Sequence, residues 1–423
     1  MTAAVIGGGP AGVFAAAFAA KNGVTATLFD GNEKLLKKLY ISGKGRCNLT
    51  NDCAPDEFLS NVVNGKRFLI SAIAGFTPSD ALGFFAESGL PLKTERGGRV
   101  FPSSDKSSDV IKTLERLLRG LGAEILTRSP VSRITKDETA QSGAFTVVSN
   151  GEKRRFDRVV IATGGASYSA TGSAGGGYVL AAAFGHRIIE QRPALCALRL
   201  KEDVGELEGL ALKNVSVSAE TDGRTAFSEF GEALFTADGL SGPSVLSLSS
   251  RINRFDGKKT DIVLDLKPAL TRAELDARIL RDFKKYANKN FANSLDGLLP
   301  KSLIAYVVRE TKIPPDKKVN EISRAERAAL LDALKGLRFG LKGLAPLDSA
   351  IVTSGGVDTS QINPKTMESK LVPGLFFAGE VMDVDALTGG FNIHIAMATG
   401  RAAGRACAGG LAAPSAVCRL QDR

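Results

Sequence analysis

The chain has 423 residues, a net charge of +10 and 43% hydrophobic residues, which is an ordinary composition for a globular protein. Its length is enough for two or three domains, and no apolar run reaches the roughly 18 residues of a membrane span. Five scattered cysteines without a CxxC pair, and only two histidines, argue against a disulfide framework and against a zinc or iron site. No basic and apolar leader precedes the first strand, so we expect a cytoplasmic protein.

The first 31 residues predict a βαβ unit that binds a dinucleotide. An apolar strand at 3–6 leads into a G-x-G-x-x-G motif, an alanine-rich helix at 13–21 and a second strand at 25–29. Asp30 ends that strand, where an acid accepts hydrogen bonds from ribose hydroxyls and disfavours a 2′-phosphate. We therefore expect an FAD or NAD cradle, and not an NADP site, formed by Gly7, Gly9, Pro10, Ala11 and Gly12.

A basic loop with the sequence KLLKKLYISGKGRCNLTN follows at 34–51. Its cations are suited to phosphates, and its hydroxyl and amide groups offer further hydrogen bonds. Cys47 has no partner cysteine at redox spacing, so we interpret it as a packed structural thiol rather than a catalytic one. The candidate cofactor contacts in this loop are Lys38, Ser42, Gly43, Arg46 and Asn48.

A second nucleotide signal lies at 156–186. A buried strand at 159–161 runs into Ala-Thr-Gly-Gly, and in flavoproteins with two dinucleotide domains such a strand returns to the nucleotide fold and closes over the cofactor. This pattern favours FAD, with Thr163, Gly164 and Gly165 at the cofactor and Val131 where such proteins often receive the adenine. Before it we predict a helix at 114–121, a strand at 124–131 and a hairpin of strands at 145–149 and 153–156 around Asn150-Gly151.

The segment 188–350 has no nucleotide motif and is expected to form an inserted domain. Strand-like runs at 195–200, 213–220 and 260–266 predict a β-barrel, with boundaries of 191–268 and 335–349. Capping boxes at Thr271–Glu274 and Ser323–Glu326 predict helices, as does the pattern at 298–308, and these place a helical insert at 269–334. The remaining segments, 1–190 and 350–423, then form a discontinuous FAD-binding domain.

The last nucleotide signal lies near the end of the chain. A third apolar strand at 375–378 ends in Gly379 and Glu380, where an acid is suited to the ribitol or pyrophosphate side of FAD. A final helix at 391–407 starts with Gly390, Phe391, Asn392 and Ile393, and its N-terminal N–H groups are expected to face the flavin ring. The three signals together predict one FAD site assembled from both ends of the chain. Asp383 and Asp385 are ambiguous between cofactor contact and loop capping.

Six segments resemble the HI0933-like flavoproteins, also called the BaiN/YhiN or aminoacetone oxidase family. They are GGGPAGVFAA, SGKGRCNLTN, ATGGASYSATGSAGGGY, GEALFTADGLSGPSVL, TSGGV and TMESKLVPGLFFAGEVMDVDALTGGFN. The resemblance spans essentially the whole chain. It implies an α/β fold in which a Rossmann-like FAD/NAD(P)-binding domain (three-layer ββα) is interrupted by an inserted β-barrel domain with a helical subdomain. It also implies flavin contacts at Gly12, Asp30, Lys38, Arg46, Asn48, Val131, Gly165, Glu380, Asn392 and Ile393.

The sequence departs from the family pattern in places, and Lys44 and Gly176 replace more common residues. Many members have G-G-Y-N-L-Q followed by a tryptophan, whereas this chain has Gly-Gly-Phe-Asn-Ile-His at 389–394 and no tryptophan. These residues border the expected flavin pocket, so the substrate can differ from that of the named members.

The expected function is an FAD-dependent oxidoreductase that passes hydride between flavin N5 and a small organic or sterol-like substrate. Two reactions stay open: NAD(P)H-dependent reduction of a C=C bond, and oxidation of an amine such as aminoacetone by dioxygen. A resemblance of 162–178 to fumarate-reductase-type flavoproteins favours the first. With a single G-x-G-x-x-G motif, NAD(P)H must enter the substrate pocket, or dioxygen must reoxidise the flavin. The catalytic acid is unassigned among Tyr168, His394, Arg46 and Lys44, and His394 fits a packed neutral histidine better.

A different class stays open as well, an FAD-containing protein that binds or modifies RNA. The segment 281–320 carries nine Lys and Arg against four Asp and Glu. A basic helical face of this kind can contact nucleic acid. It has few aromatic residues for base stacking, so a solvated helix face is the favoured interpretation and nucleic acid is the less favoured partner. The sequence gives no oligomeric state.

Overall fold

The structure is a computed structural model that describes residues 1–140, 144–255 and 258–409. Cys418 and the end of the predicted FAD-binding segment, 410–423, lie outside the described residues. The chain divides into two units, one formed by Met1–Ala194 with Pro346–Arg423 and the other by Leu195–Ala345. Each unit has its own hydrophobic core.

Up to Ala194, the described residues of the first unit form twelve strands and seven α-helices. The strands are β1 (Thr2–Ile6), β2 (Thr25–Phe29), β3 (Thr50–Asn51), β4 (Val62–Asn64), β5 (Leu92–Glu95), β6 (Arg99–Pro102), β7 (Glu124–Leu126), β8 (Val131–Lys136), β9 (Phe145–Ser149), β10 (Glu152–Phe156), β11 (Arg158–Ile161) and β12 (Ile188–Ala194). The helices are α1 (Pro10–Lys21), α2 (Lys37–Gly45), α3 (Pro55–Ser60), α4 (Lys66–Gly75), α5 (Pro78–Glu87), α6 (Ser107–Gly120) and α7 (Gly176–Ala182).

The second unit follows, and the chain then returns to the first. The elements of the second unit are β13 (Leu198–Leu200), β14 (Ala211–Thr221), β15 (Arg224–Thr236), β16 (Gly239–Ser241), α8 (Pro243–Ile252), β17 (Thr260–Asp265), α9 (Arg272–Lys285), α10 (Lys301–Thr311), α11 (Arg324–Lys335) and β18 (Leu337–Leu344). The returning segment adds β19 (Val352–Val357), β20 (Leu375–Phe377), β21 (Asp385–Ala386) and α12 (Phe391–Cys407).

Five parallel strands form the central sheet of the first unit, in the order β20-β11-β1-β2-β7. The central strand β1 is apolar and almost fully buried, as expected for a parallel strand that is covered on both faces. Parallel strands end at the same edge of a sheet, so this topology brings together the residues that follow four of them. They are Gly7 after β1, Asp30 after β2, Ala162 after β11 and Ala378 after β20.

Helix α12 packs closely against α1 through small residues. A Cβ atom on Gly400 would lie 2.2 Å from the carbonyl oxygen of Ala11, and one on Gly404 would lie 2.3 Å from that of Ala15. The backbones therefore approach to a distance that only glycine permits. The first and last helices of the described chain thus form one layer on the central sheet, and a separate antiparallel sheet, β10-β9-β8, also belongs to this unit. The unit is a Rossmann-like, mixed α/β fold.

In the second unit, six strands close into a barrel in the order β13-β16-β15-β14-β17-β18. Helices α9 and α11 begin at the two predicted capping boxes, since Thr271 and Ser323 accept hydrogen bonds from the backbone N–H groups of Glu274 and Glu326. The helices and the inner faces of the strands share one core.

Several predicted element limits differ from the structure for local reasons. The strand predicted at 124–131 is two strands, β7 and β8, because the chain turns at Arg128 with a left-handed φ of 53°. The strand predicted at 195–200 starts only at Leu198, since Leu195 has a φ of 52°. The helix predicted at 298–308 begins after Pro300, which takes the N-cap position.

One helical run, 66–87, passes a test of length and composition for crossing a membrane. In the structure this run is two helices, α4 and α5, separated by Phe76 and Thr77. Thr77 and Asp80 form a capping box that starts α5. Leu69 and Phe85 are fully buried, so the run packs as core helices of the first unit.

Candidate functional site

The glycine motif forms the turn from β1 into α1, and two of its glycines have no room for a side chain. Gly7 has a φ of +106°, and a Cβ there would lie 2.5 Å from the carbonyl oxygen of Ala162. A Cβ on Gly12 would lie 1.8 Å from the carbonyl oxygen of Gly7. By contrast, apart from Gly9 and its two chain neighbours, no heavy atom of the described residues lies within 4 Å of a Cβ built on Gly9. Open space therefore lies beside the N-terminus of α1, where Pro10 stands in the first turn and a pyrophosphate can reach the backbone N–H groups.

Asp30 shapes this loop from the end of β2. Its Oδ2 accepts a hydrogen bond of 2.6 Å from the N–H of Gly8, and its Oδ1 accepts one of 2.7 Å from the N–H of Asn32. A carboxylate has about four acceptor positions, so capacity remains for ribose hydroxyls. Val131 lies near this end of the site, because the preceding residue, Pro130, approaches Gly31.

The chain after β11 contributes Thr163, Gly164 and Gly165. The Thr163 Oγ1 atom is buried and has no hydrogen-bond partner among the described residues. Gly177, at the start of α7, approaches so closely that a Cβ there would lie 2.0 Å from this oxygen. A buried hydroxyl without a partner costs free energy, so a ligand atom that reached this oxygen would stabilise the site.

Glu380 joins three separate segments of the chain at the edge of the central sheet. Its carboxylate accepts hydrogen bonds from Lys38 Nζ at 3.1 Å, Ser167 Oγ at 3.2 Å and the N–H of Thr353 at 2.7 Å. Lys38 also donates to Ser167 at 2.9 Å. A Cβ on Gly165 would lie 2.8 Å from Glu380 Oε1. Sequence reasoning identified Lys38, Gly165 and Glu380 but missed Ser167 and Thr353, although both lie within the quoted family-like segments.

Other residues of the basic loop have different roles. Ser42 donates to the carbonyl of Leu39 at 2.7 Å. Gly43 needs its left-handed φ of +58° for the kink in α2. Asn48 Oδ1 is buried without a partner among the described residues, which makes it a second free acceptor in the first unit.

Arg46 is anchored by acidic side chains. Its Nε donates to Asp105 Oδ1 at 2.7 Å, a second nitrogen pairs with Glu95, and the guanidinium lies 4.0 Å from the centre of the Phe101 ring. These partners fix the guanidinium from two sides. Its role as a flavin contact stays a prediction, and these acids are partners that the sequence did not indicate.

The N-terminus of α12 is held by the protein backbone. Gly390 has a φ of +98°, and a Cβ there would lie 2.5 Å from the carbonyl oxygen of Thr50. The side-chain amide of Asn392 bonds both ways with Ala386, accepting from its N–H at 2.9 Å and donating to its carbonyl at 2.8 Å. Phe391 is buried edge-on against Phe58, and Ile393 is half-buried.

The residues before that helix mainly order the loop. Gly379 has a φ of +75°, and a Cβ there would lie 2.7 Å from the Cβ of Ala11 at the start of α1. Asp383 accepts a hydrogen bond of 3.0 Å from the N–H of Gly355, and Asp385 accepts one from Asn64. Asp383 and Asp385 therefore link this loop to β19 and β4.

Two side chains that invited a catalytic interpretation are packed and neutral. Burial raises the pKa of the Cys47 thiol to about 12, which agrees with a structural thiol. Burial lowers the pKa of His394 to about 4. The His394 ring lies 2.8 Å from the carbonyl oxygen of Phe76 and 2.9 Å from Thr50 Oγ1, so both nitrogens are occupied. At neutral pH it is not a proton donor.

Tyr178 carries a buried hydroxyl group, and the sequence analysis did not identify it as a candidate site residue. Its oxygen has no hydrogen-bond partner among the described residues. Burial raises its pKa, and the negative charges of Glu380 and Asp383 raise it further. The phenol therefore stays protonated at all ordinary pH values. The aromatic residue in the quoted segment SAGGGY is the signal that could have identified it.

The buried His394 predicts a pH dependence of stability. Its folded pKa of about 4 lies below the unfolded value of 6.5. The unfolded state therefore binds the proton more tightly, and the stabilising contribution is complete above pH 6.5 and lost as pH falls toward 4. The expected loss is about 3 kcal/mol over this interval.

The measurement is urea unfolding of the wild-type protein and of His394→Gln at several pH values between 7.5 and 4. Wild type should lose more stability than the variant as pH falls, whatever the variant's stability at pH 7.5. His186, whose pKa burial also lowers, is present in both proteins, so its effect cancels. Parallel pH profiles of the two proteins would contradict the assignment.

These residues fit an FAD molecule. The glycine loop leaves room only at Gly9, the helix N-terminus offers N–H groups to a pyrophosphate, and Asp30 has acceptor capacity for a ribose. Thr163 Oγ1 and Asn48 Oδ1 are buried polar atoms without partners among the described residues. The donors and acceptors required by a dinucleotide are thus present in the first unit.

Comparison with known proteins identifies the family to which the chain is similar. Residues 1–406 match the family described as HI0933-like protein Rossmann domain. The chain is 31% identical over 410 residues to a 3-dehydro-bile acid delta(4,6)-reductase of Clostridium scindens, covering 96% of this chain and 98% of the relative. It is 32% identical over 397 residues to a ribosomal RNA dihydrouridine synthase of Escherichia coli, covering 93% and 94% of the two chains. A protein of Haemophilus influenzae with the same description is 31% identical over 391 residues, covering 92% and 94%.

Among solved structures, the chain resembles a 3-ketosteroid-delta4-(5alpha)-dehydrogenase from Rhodococcus jostii. The TM-score is 0.53, the identity is 15%, and the match covers 96% of each chain. At this identity the likeness shows the fold alone.

Proposed function

The chain belongs to the HI0933-like family, and from this membership we propose that it is an FAD-dependent oxidoreductase that reduces a C=C bond conjugated to a carbonyl group. The observation that carries the proposal is the kind of bond named in its relatives. A delta(4,6)-reductase acting on a 3-dehydro steroid acid and an enzyme that forms dihydrouridine have different substrates. In both cases the name describes the addition of hydrogen to a C=C bond next to a carbonyl.

The proposed site lies within the first unit. The glycine loop would bind the pyrophosphate, Asp30 a ribose, and Lys38 with Glu380 the polar middle of the cofactor, while the α12 N-terminus would face the ring system. Bound FAD would supply the hydride equivalent for the reduction. The chain's own contribution would be to orient that cofactor by the glycine loop, the basic loop and the segment that starts at Glu380. Ser167 and Thr353 donate hydrogen bonds to Glu380 and so hold its carboxylate in position.

We further propose the division of the chain that the sequence predicts: an FAD-binding domain at 1–190 and 350–423, a β-barrel insert at 191–268 and 335–349, and a helical insert at 269–334. The proposed electron donor is NAD(P)H, which would use the substrate pocket in turn, because the sequence has a single G-x-G-x-x-G motif. An amine oxidase that uses dioxygen is the competing reaction of the same cofactor.

A small enone, such as a 4-en-3-one steroid, is the first substrate class that we propose. A uridine in ribosomal RNA is the second, and the two relatives that form dihydrouridine favour it. The net charge of +10 is also compatible with a polyanionic substrate.

The experiment that tests the proposal incubates the purified holoprotein with NADH or NADPH and one of two acceptors, a 4-en-3-one steroid or ribosomal RNA that lacks dihydrouridine. Mass spectrometry should show the addition of two hydrogens to one acceptor, at a rate that depends on the nicotinamide. The same mixture without protein is the control. If neither acceptor gains hydrogen while an amine is oxidised and dioxygen is consumed, the reductase proposal fails.

A further inference from the structure

The helical part of the second unit carries a concentrated group of exposed lysines, which we call the basic face: Lys285, Lys289, Lys301, Lys312 and Lys318. All five are exposed, and none forms an ion pair with another described residue. Two neighbouring cations do have acidic partners, since Arg309 pairs with Glu206 at 2.6 Å and Lys317 pairs with Glu326 at 2.7 Å. The five lysines of the basic face are therefore not held in ion pairs by acids of the described part of the chain.

Three of these lysines lie together on two adjacent segments. The ammonium groups of Lys285 and Lys289 lie 5.2 Å and 4.5 Å from the centre of the Tyr286 ring. Lys318 donates to Asn290 Oδ1 at 2.9 Å, and a β-bridge joins these two residues. Two of the ammonium groups thus lie near one half-buried aromatic ring, and the third binds the side-chain amide of Asn290.

A groove of about 740 Å³ continues from these segments along α10. Ala292 and Pro315, which line it, are joined by a backbone hydrogen bond of 3.1 Å, only two residues from Asn290. Its floor includes the buried side chains of Ile304 and Val308. Its rim carries Lys301, Arg309 and Lys312, with Asp296 as a single acid. The groove thus combines an apolar floor with a cationic rim.

We propose that the basic face and the groove along α10 bind RNA, with the lysines on the phosphodiester backbone and an unpaired base on the apolar floor. Exposed ammonium groups that are not in ion pairs attract a polyanion and release its counterions. An apolar floor beside them accepts the flat face of a base, whatever its identity. The surface thus provides contacts for both parts of a nucleotide chain. The inference rests on the proposal that ribosomal RNA is a substrate. It places the RNA-binding surface outside the proposed FAD-binding residues.

The test measures the affinity of the full-length holoprotein for a fluorescein-labelled oligouridylate by anisotropy at several salt concentrations, with unlabelled ribosomal RNA as competitor. The variant Lys285→Gln/Lys289→Gln/Lys318→Gln should bind at least about 10-fold more weakly at low salt. Each lost phosphate contact lowers the slope of log K against log salt by about 0.7, so the slope should fall by about 2.

The matched control, Lys112→Gln/Lys213→Gln/Lys342→Gln, removes the same charge from other exposed positions and should bind like wild type. Ala305→Gln tests the groove separately, because Ala305 is an exposed lining residue that can be enlarged without disturbing the core, and glutamine adds no charge. It should weaken binding with the lysines intact. Circular dichroism and flavin absorbance show whether each variant is folded.

Four results would overturn the proposal. They are wild-type protein that does not bind RNA at low salt, equal losses in the two triple variants, unchanged binding by Ala305→Gln, and equally tight binding of a polyglutamate peptide. The last result would assign the face to acidic proteins. Reduction of a 4-en-3-one steroid is measured on the same preparations. If steroid reduction persists in Lys285→Gln/Lys289→Gln/Lys318→Gln while RNA binding is lost, the basic face binds RNA without taking part in the reduction itself. If RNA binding fails and enone reduction persists, only the binding proposal falls.

Discussion

Gly9→Ala is expected to fold with nearly wild-type stability and to lose most of its affinity for FAD. A built Cβ at this position meets no heavy atom of the described residues within 4 Å, and the φ of −78° suits alanine. Loss of the favourable N-cap glycine lowers the free energy of unfolding, whereas the reduced freedom of the unfolded chain raises it. The net change should therefore stay within about 1 kcal/mol. A pyrophosphate at the start of α1 would need the space that the new methyl group fills. FAD affinity should therefore fall about 100-fold, which corresponds to about 2.7 kcal/mol.

The measurement has two parts, thermal or urea unfolding of the flavin-free proteins and titration of FAD by its fluorescence. Gly83→Ala is the matched control, because Gly83 is exposed on α5 and also has open space around its Cβ position; it should leave FAD binding unchanged. Gly12→Ala should instead destabilise the fold, since its Cβ would collide with the backbone of Gly7. If Gly9→Ala binds FAD like wild type, the cofactor does not occupy the glycine loop.

Gly400→Leu is expected to produce the largest loss of stability. Its Cβ would lie 2.2 Å from the Ala11 carbonyl oxygen, and the obstacle is backbone that no side-chain rotation can move. Helices α1 and α12 must then separate, which exposes their shared small-residue interface. Overpacking of a tight core contact costs about 1–3 kcal/mol when side chains can adjust, and we expect about 3 kcal/mol or more where they cannot.

Urea unfolding at constant pH measures this loss, with Gly83→Leu as the matched control. Gly83 lies on α5 with no heavy atom of the described residues near its Cβ position, so a better helix former should leave stability unchanged or raise it by up to about 1 kcal/mol. Equal stability of the two variants would contradict the close approach of α1 and α12. Loss of FAD from Gly400→Leu should accompany the loss of stability, because Ala11 belongs to the proposed FAD-binding loop.

The parts of the site that could be predicted from the sequence are those fixed by local backbone geometry. Gly7 and Gly12 were identified because a sharp turn and a close helix approach each exclude a side chain, and the structure shows both contacts. The final helix, with bounds of Phe391–Cys407, was also predicted correctly. Its start is marked by two glycines with positive φ, a signal that needs no knowledge of the rest of the chain.

The parts that were missed depend on segments that meet only in the folded protein. The expected cofactor contact of Arg46 stays a prediction, whereas its partners Glu95 and Asp105, which come 49 and 59 residues later, were not foreseen. Ser167 and Thr353 contact Glu380 through residues separated by 213 and 27 positions. No periodicity or spacing encodes such contacts.

Tyr178 and Asn392 illustrate the same limit for function. The segment SAGGGY draws attention to Tyr178 as a residue, but it does not indicate that the hydroxyl is buried without a partner among the described residues. Asn392 was expected as a flavin contact, and the structure shows that its amide is bonded to the backbone of Ala386. Its position at the helix start is as predicted, whereas the partner of its side chain could not be inferred.

The reductase chemistry itself is tested most directly by following flavin absorbance in the purified protein under anaerobic conditions. NADH or NADPH should bleach the yellow colour, and a stoichiometric amount of a conjugated enone or of ribosomal RNA lacking dihydrouridine should restore it. Bleaching by an amine such as aminoacetone, with no bleaching by either nicotinamide, would contradict the account and assign the protein to amine oxidation.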